Sequence, residues 1–208
     1  MFFPTLSLDT RVSALLRYFR MANTNDTRPS WDEYFMNIAL VVASRSNCMT
    51  RHVAAVVVKD KRIISTGYNG TPRGTKNCNE GGCERCSKRT IATAGQNLSE
   101  CTCSHGEENA IVQAAYHGTP LKGAALYTTF SPCLTCAKMI INAGIREVIY
   151  NSEYPVAQRS FELLKEAEII MRKVTIHNYN EHVGKFEKKE EIVIVEQPNS
   201  EGTQLALT

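Results

Sequence analysis

The sequence predicts an α/β fold: three layers, in which a mixed five-stranded (or slightly larger) sheet is flanked by helices. Two observations predict it. From Glu107 onward, apolar strand-like runs alternate with segments of helical periodicity about ten to fifteen residues long, the pattern of crossover units that lay helices against a sheet. Ahead of them, "HVAAVVVKDKRIISTGYNG" carries two apolar, β-branched runs around Asp60-Lys61. That reads as an antiparallel hairpin, which makes the sheet mixed.

The elements follow in order. In "PSWDEYFMNIALVVASRS", Ser30 is placed to cap a helix and Glu33 occupies the capping-box position. Tyr34, Phe35, Ile38, Val41 and Val42 recur at helical spacing and predict the face that packs on the core. After the hairpin, residues 71–104 are rich in Gly, Asn, Ser and Cys and show little periodicity. An irregular segment that long inside a compact domain needs something such as a metal to hold it. Then "EENAIVQAAYHG" predicts a helix closed by Gly118, "AALYTTF" a strand, and "CLTCAKMIINAG" a helix closed by Gly144. "EVIY" is a strand, "AQRSFELLKEA" a helix, and "EIIMRKVTI" the last main strand. "EIVIVE" adds an edge strand.

The domain organisation expected is an N-terminal extension over 1–28, a main domain over 29–178 containing the cysteine-rich insert 71–104, and a C-terminal segment over 179–208 ending in a disordered tail. Arg11, Arg17 and Arg20 against the single acid Asp9 give residues 1–20 a weak likeness to an organelle-targeting leader; Met21 is an alternative start.

Composition narrows the function. The chain has 208 residues, 43% hydrophobic and 22% charged, with a net charge of +3. A broad basic face for nucleic acid is not implied. No apolar run approaches the ~18 residues of a membrane span. The eight cysteines are even in number, as in a disulfide framework, but no secretory signal precedes them. Their C-x-x-C and C-x-C spacings favour metal binding in a reducing compartment, so the expected location is the cytoplasm.

Two segments carry chemistry: His105-Gly106-Glu107 and Pro132-Cys133-Leu134-Thr135-Cys136. Each stands at the start of a predicted helix, and the 28 residues from His105 to Cys133 are enough for one helix-and-strand crossover. Such a crossover brings both helix N-termini, with their positive dipole ends, to one point and favours thiolates there. His105, Cys133 and Cys136 then supply three ligands for a tetrahedral zinc and leave the fourth corner open, the hallmark of a catalytic site. Glu107 is free to act as proton donor and acceptor beside it. The alternative is a closed structural zinc site with Glu107 as a first-turn acid. Glu108 reads as a helix-start acid or a partner for a loop.

H-x-E followed by P-C-x-x-C is the pattern of the zinc nucleobase deaminases. Together with "RIISTGYNGTPRG", "NC", "GGC" and "SPCLTCAKMIINAGI", in this order, it resembles the deoxycytidylate (dCMP) deaminases, of the cysteine-rich type found in fungi and some viruses. They belong to the zinc-dependent cytidine/deoxycytidylate deaminase superfamily, and the likeness runs from about Trp31 to Glu168. It implies a cytidine-deaminase-like fold and hydrolysis of dCMP to dUMP and ammonia, which feeds thymidylate synthesis. Glu107 would protonate the cytosine ring and then the departing amine. By the same resemblance Asn69 of "GYNG" holds the sugar, Tyr154 lies near the sugar-phosphate end, dCTP activates, dTTP inhibits, and the chain forms a homo-oligomer, commonly a hexamer. A second, structural zinc is implied at positions like Cys48, Cys78 and Cys103. Cys86 of the Cys83/Cys86 pair is the preferred fourth ligand, with Cys83 and Cys101 as alternates. The other reading leaves Cys48 as a small core residue and the rest as free thiols. Asn69 also suits an ordinary tight turn and Tyr154 an ordinary core or surface tyrosine.

The chain departs from the family pattern at four places. Gly106 stands where alanine is usual, and Val53-Ala54-Ala55 where Val-Gly-Ala is usual. His52 and Pro155 replace two arginines on the phosphate side. Arg51, His52, Arg73 or Lys76 are candidates to substitute, since a phosphate dianion needs cationic or N–H partners. Two competing functions are a tRNA-type nucleic-acid deaminase, disfavoured by the low net charge, and a weakened zinc protein acting in structure or nucleotide sensing.

Overall fold

The computed structural model describes residues 28–90, 100–154, 157–176 and 193–194. The expected leader, the tail and Pro155 lie outside them.

The first described element is helix α1 (Trp31–Ala43). Strands β1 (Ala54–Lys59) and β2 (Arg62–Tyr68) form the hairpin, and its two-residue turn puts Asp60 and Lys61 at φ 50° and 59°. That is the left-handed pair whose twist matches flanking strands. A 3-10 turn (Cys78–Glu80) and the one-turn helix α2 (Glu84–Ser87) occupy the cysteine-rich segment. Then come α3 (Gly106–Tyr116), β3 (Ala125–Phe130), α4 (Leu134–Asn142), β4 (Glu147–Ser152), α5 (Gln158–Glu166) and β5 (Ile170–Lys173). Gly118 and Gly144 close α3 and α4 at φ 66° and 73°, as the sequence predicts. The two-residue β6 (Val193–Ile194) lies within "EIVIVE" and pairs antiparallel with β5.

The sheet runs β2-β1-β3-β4-β5-β6. β1 is antiparallel to β2 and β3, whereas β3, β4 and β5 are mutually parallel, joined by α4 and α5. Alternation along the strands sorts the core into two halves. Val56, Val58, Tyr127 and Ile149 meet Phe35, Met36 and Ala39 of α1. Ala55, Val57, Leu126 and Val148 meet Ala110, Ala114, Ala137, Ile140 and Leu164 of α3, α4 and α5. This is the three-layer fold expected.

Two details differ from the sequence reading. Tyr34 and Val41 are exposed, and the buried stripe of α1 is Phe35, Met36, Ala39 and Ala43, with Ile38 and Val42 at its margin. The helix is apolar over more than half its circumference, so periodicity alone did not fix which edge faces the sheet. The last main strand is also shorter than "EIIMRKVTI", because Glu168 takes a left-handed φ of 58° and delays its start to Ile170.

An ion-pair network pins α1 to the sheet. Arg172 of β5 donates to Asp32 Oδ1 at 3.0 Å and to Glu147 Oε1 at 2.6 Å, while Tyr127 Oη donates to Asp32 Oδ1 at 2.8 Å. Burial works to raise the Asp32 carboxyl, but the Arg172 and Tyr127 hydrogen bonds outweigh it and hold it below the ordinary value.

Candidate active site

β3 returns the chain from the end of α3, so its own end delivers residues 131–133 to the start of that helix. His105 is the N-cap of α3 and Cys133 the N-cap of α4. Their side chains meet: His105 Nδ1 lies 3.3 Å from Cys133 Sγ and 3.4 Å from Cys136 Sγ. A tetrahedral zinc with ordinary Zn–N and Zn–S bonds has N···S edges of about 3.6 Å, so this donor set fits the ion with no rearrangement beyond a few tenths of an ångström. The backbone N–H of Cys136 points at Cys133 Sγ at 3.5 Å, one of the unpaired donors of the helix start. The Cys133 thiol is held down to about 4, chiefly by its hydrogen bond with Cys136 and also by His105. His105 is pushed up to about 9, chiefly by its bond to Cys133.

Glu107 is 3% exposed. Its Oε1 lies 3.1 Å from Thr128 Oγ1 on β3, and its Oε2 lies 3.7 Å from Cys136 Sγ. Burial raises its pKa above the ordinary carboxylate value, against the opposing pull of its own backbone N–H, the His105 charge and the Thr128 hydroxyl. Glu108 faces away and accepts from His105 N at 3.2 Å and from Ser104 Oγ at 3.2 Å. It anchors the helix start.

Gly106, between ligand-type histidine and buried acid, is pressed against β1. A Cβ there would fall 2.8 Å from Ala54 Cα and 3.1 Å from Val53 O. The backbone of β1 at Ala54 therefore closes on Gly106 too tightly to admit a side chain there.

Asn69, Arg51 and Tyr154 form a second group. Asn69 Oδ1 accepts from Val53 N at 2.8 Å and Ser46 Oγ at 2.7 Å, and its Nδ2 donates to Arg51 O at 2.8 Å. The Arg51 guanidinium lies 4.7 Å from the Phe130 ring centroid and 5.3 Å from that of Tyr154. Tyr154 N donates to Ser131 Oγ at 2.7 Å, beside the Pro132-Cys133 turn. Arg73, by contrast, stacks on Tyr116 at the far end of α3, about 15 Å along the helix from His105.

The remaining six cysteines gather under the irregular segment. Cys48, Cys78, Cys86 and Cys103 have all four sulfurs within 4.8 Å of one another, and so do Cys83, Cys86, Cys101 and Cys103. Five of the six are buried and Cys101 is partly so.

The family model "Cytidine and deoxycytidylate deaminase zinc-binding region" matches residues 29–152. The chain belongs to this family. Deaminase-family relatives with curated names include the deoxycytidylate deaminases of Schizosaccharomyces pombe, 46% identical over 152 residues, and Saccharomyces cerevisiae, 48% identical over 145. These matches take in 73% and 70% of this chain, but it spans less than half the length of either yeast protein, 46% and 45%. Among solved structures, the cyanophage S-TIM5 dCMP deaminase, determined in complex with dCMP and dUMP, superposes with a TM-score of 0.58 at 32% identity, covering 70% of this chain and 98% of that one. Among the described residues, no helix is long and apolar enough to cross a membrane.

Sequence reasoning missed Thr128, Phe130 and Ser46. The hydroxyls of "YTTF" were the available signal: a buried strand that carries two threonines points polar groups at something.

Proposed function

We propose that this chain hydrolyses dCMP to dUMP and ammonia. The observation that carries the reading is the convergence of His105, Cys133 and Cys136 on one point with Glu107 buried beside them. The names of the yeast relatives and of the cyanophage protein, with the ligands of the latter, support the substrate.

His105 Nδ1 and the Cys133 and Cys136 thiolates would hold a zinc ion, which lowers the pKa of water toward neutrality and makes it a nucleophile there. Glu107 takes the proton from the attacking water and delivers it to N3 of the cytosine as the C4–O bond forms. It then takes the remaining proton from the new C4 hydroxyl as the C4=O bond forms and passes it to the exocyclic amine as the C4–N bond breaks, so ammonia leaves neutral. Burial suits the carboxyl to this cycle by raising its proton affinity. Asn69 keeps one Nδ2 hydrogen beyond its bond to Arg51 O, enough to reach a sugar hydroxyl. Arg51, held between Phe130 and Tyr154, takes the place of the missing phosphate-side arginines.

The domain that does this spans 29–178. Cys48, Cys78, Cys86 and Cys103 hold structural zinc that ties the described parts of the cysteine-rich segment, residues 71–90 and 100–104, together. Assembly into a hexamer and control by dCTP and dTTP belong to the same reading and rest on the resemblance.

Ammonia release from dCMP, deoxycytidine and dCTP tests the substrate. The expected order of kcat/KM puts dCMP first by at least about ten-fold, the worth of one charge-assisted phosphate contact. Equal turnover of deoxycytidine would sink the monophosphate assignment.

A further inference from the structure

We infer that the six cysteines outside the active site hold two metal ions, not one, as a hexathiolate cluster in which Cys86 and Cys103 bridge. This extends the reading of the cysteine group as a zinc site from one ion to two.

The argument is geometric. Each of the two four-sulfur groups is compact enough for a tetrahedral ion, and they share Cys86 and Cys103. Two tetrahedra that share an edge have six corners, and the chain supplies six sulfurs. Cys48 and Cys78 are the terminal ligands of one ion, Cys83 and Cys101 those of the other. Cys83 Sγ and Cys101 Sγ lie 3.8 Å apart, the edge length of a tetrahedral zinc thiolate at about 3.8 Å and far beyond a disulfide bond at about 2 Å. A single ion on Cys48, Cys78, Cys86 and Cys103 would leave Cys83, fully buried, and Cys101 converging on its Cys86–Cys103 edge with no purpose.

Charge points the same way. Two divalent ions offset all but two of the six thiolate charges, whereas one ion would leave four or keep protons on Cys83, which is buried, and Cys101, which is partly so. Hydrogen bonds are placed to carry the residue. The Thr50 hydroxyl lies 3.1 Å from Cys48 Sγ and 3.3 Å from Cys86 Sγ. Such donors orient and tune metal-bound sulfur. The chain is also shaped for the task between Cys78 and Cys83: a Cβ on Gly82 would lie 1.8 Å from Lys76 O, so only glycine allows this close a turn.

Zinc counted per chain on the wild-type protein tests the inference without any variant. Three ions are expected, one at His105, Cys133 and Cys136 and two in the cluster. Two ions would overturn the shared-edge cluster while leaving a single structural zinc. One would overturn the cysteine group as a metal site altogether. Cadmium substitution adds a second readout: in ¹¹³Cd NMR, two of the resonances should split each other through the bridging sulfurs. Uncoupled resonances would overturn the bridge. Neither readout depends on turnover, so a failure of the dCMP assignment is distinguishable from a failure here.

Discussion

The hydroxyl of Thr128 lies 3.1 Å from Glu107 Oε1 and 2.9 Å from the Phe130 carbonyl, with one proton to give. It can donate to Glu107 when that carboxylate is ionised. When Glu107 is protonated, Thr128 can turn its proton to Phe130 O and accept from the acid. Both protonation states of the proposed proton carrier therefore keep a partner. Thr128→Val should lower kcat by about five- to ten-fold, the worth of one neutral hydrogen bond, with little change in KM. Thr128→Ser should restore most of it. A Val variant with unchanged kcat would remove Thr128 from the proton cycle.

Arg51 offers a test of how the chain manages without the usual arginines. Arg51→Ala should raise KM for dCMP by about ten-fold or more and leave the slower turnover of deoxycytidine almost untouched. Steady-state kinetics with both substrates reads this directly. Equal losses on both would assign Arg51 to folding and not to the phosphate.

The contact of Gly106 with Ala54 predicts coupling. Gly106→Ala should destabilise the fold by about 1–3 kcal/mol through overpacking against β1. Ala54→Gly in the same chain should recover part of that loss, because removing the Ala54 methyl lets the strand backbone yield. A double-mutant cycle by urea denaturation should give a coupling of at least about 0.5 kcal/mol. Strict additivity would mean that the two departures are independent.

Much of this was legible in the sequence, for identifiable reasons. The metal-ligand spacing and the one helix and one strand between His105 and Cys133 are local patterns, and local patterns fix which ends of the elements meet. The hairpin, the helix-closing glycines and the exclusion of Glu108 from the site follow from the same kind of reasoning. What could not be read was long-range contact: that Gly106 rests on the Ala54 backbone, that Arg51 lies against Phe130 and Tyr154, and that Arg73 stacks on Tyr116. The sharing of Cys86 and Cys103 between two sulfur groups is of that kind too. Spacing can nominate six cysteines, but only the folded segment shows that they occupy one place.

The network of Asp32 predicts an acid sensitivity. Because Arg172 and Tyr127 hold the folded-state carboxyl below its unfolded value of about 3.9, the charged form contributes stability that is fully present above about pH 4. That contribution is lost as pH falls through the lower, folded value. Asp32→Asn should cost about 1–3 kcal/mol near neutral pH, and its stability should fall less than that of the wild type between about pH 4 and pH 2. Thermal melts across that range provide the check. Parallel acid profiles would exclude Asp32 as the titrating group.

The most direct measurement is ammonia release from dCMP by wild type and Glu107→Gln, with zinc counted in both. Glutamine keeps the size of the side chain and removes its capacity to carry a proton. The expected result is a loss of about 10²–10⁴-fold in kcat with zinc content unchanged. A Gln variant that turns over dCMP at the wild-type rate would contradict the account at its centre.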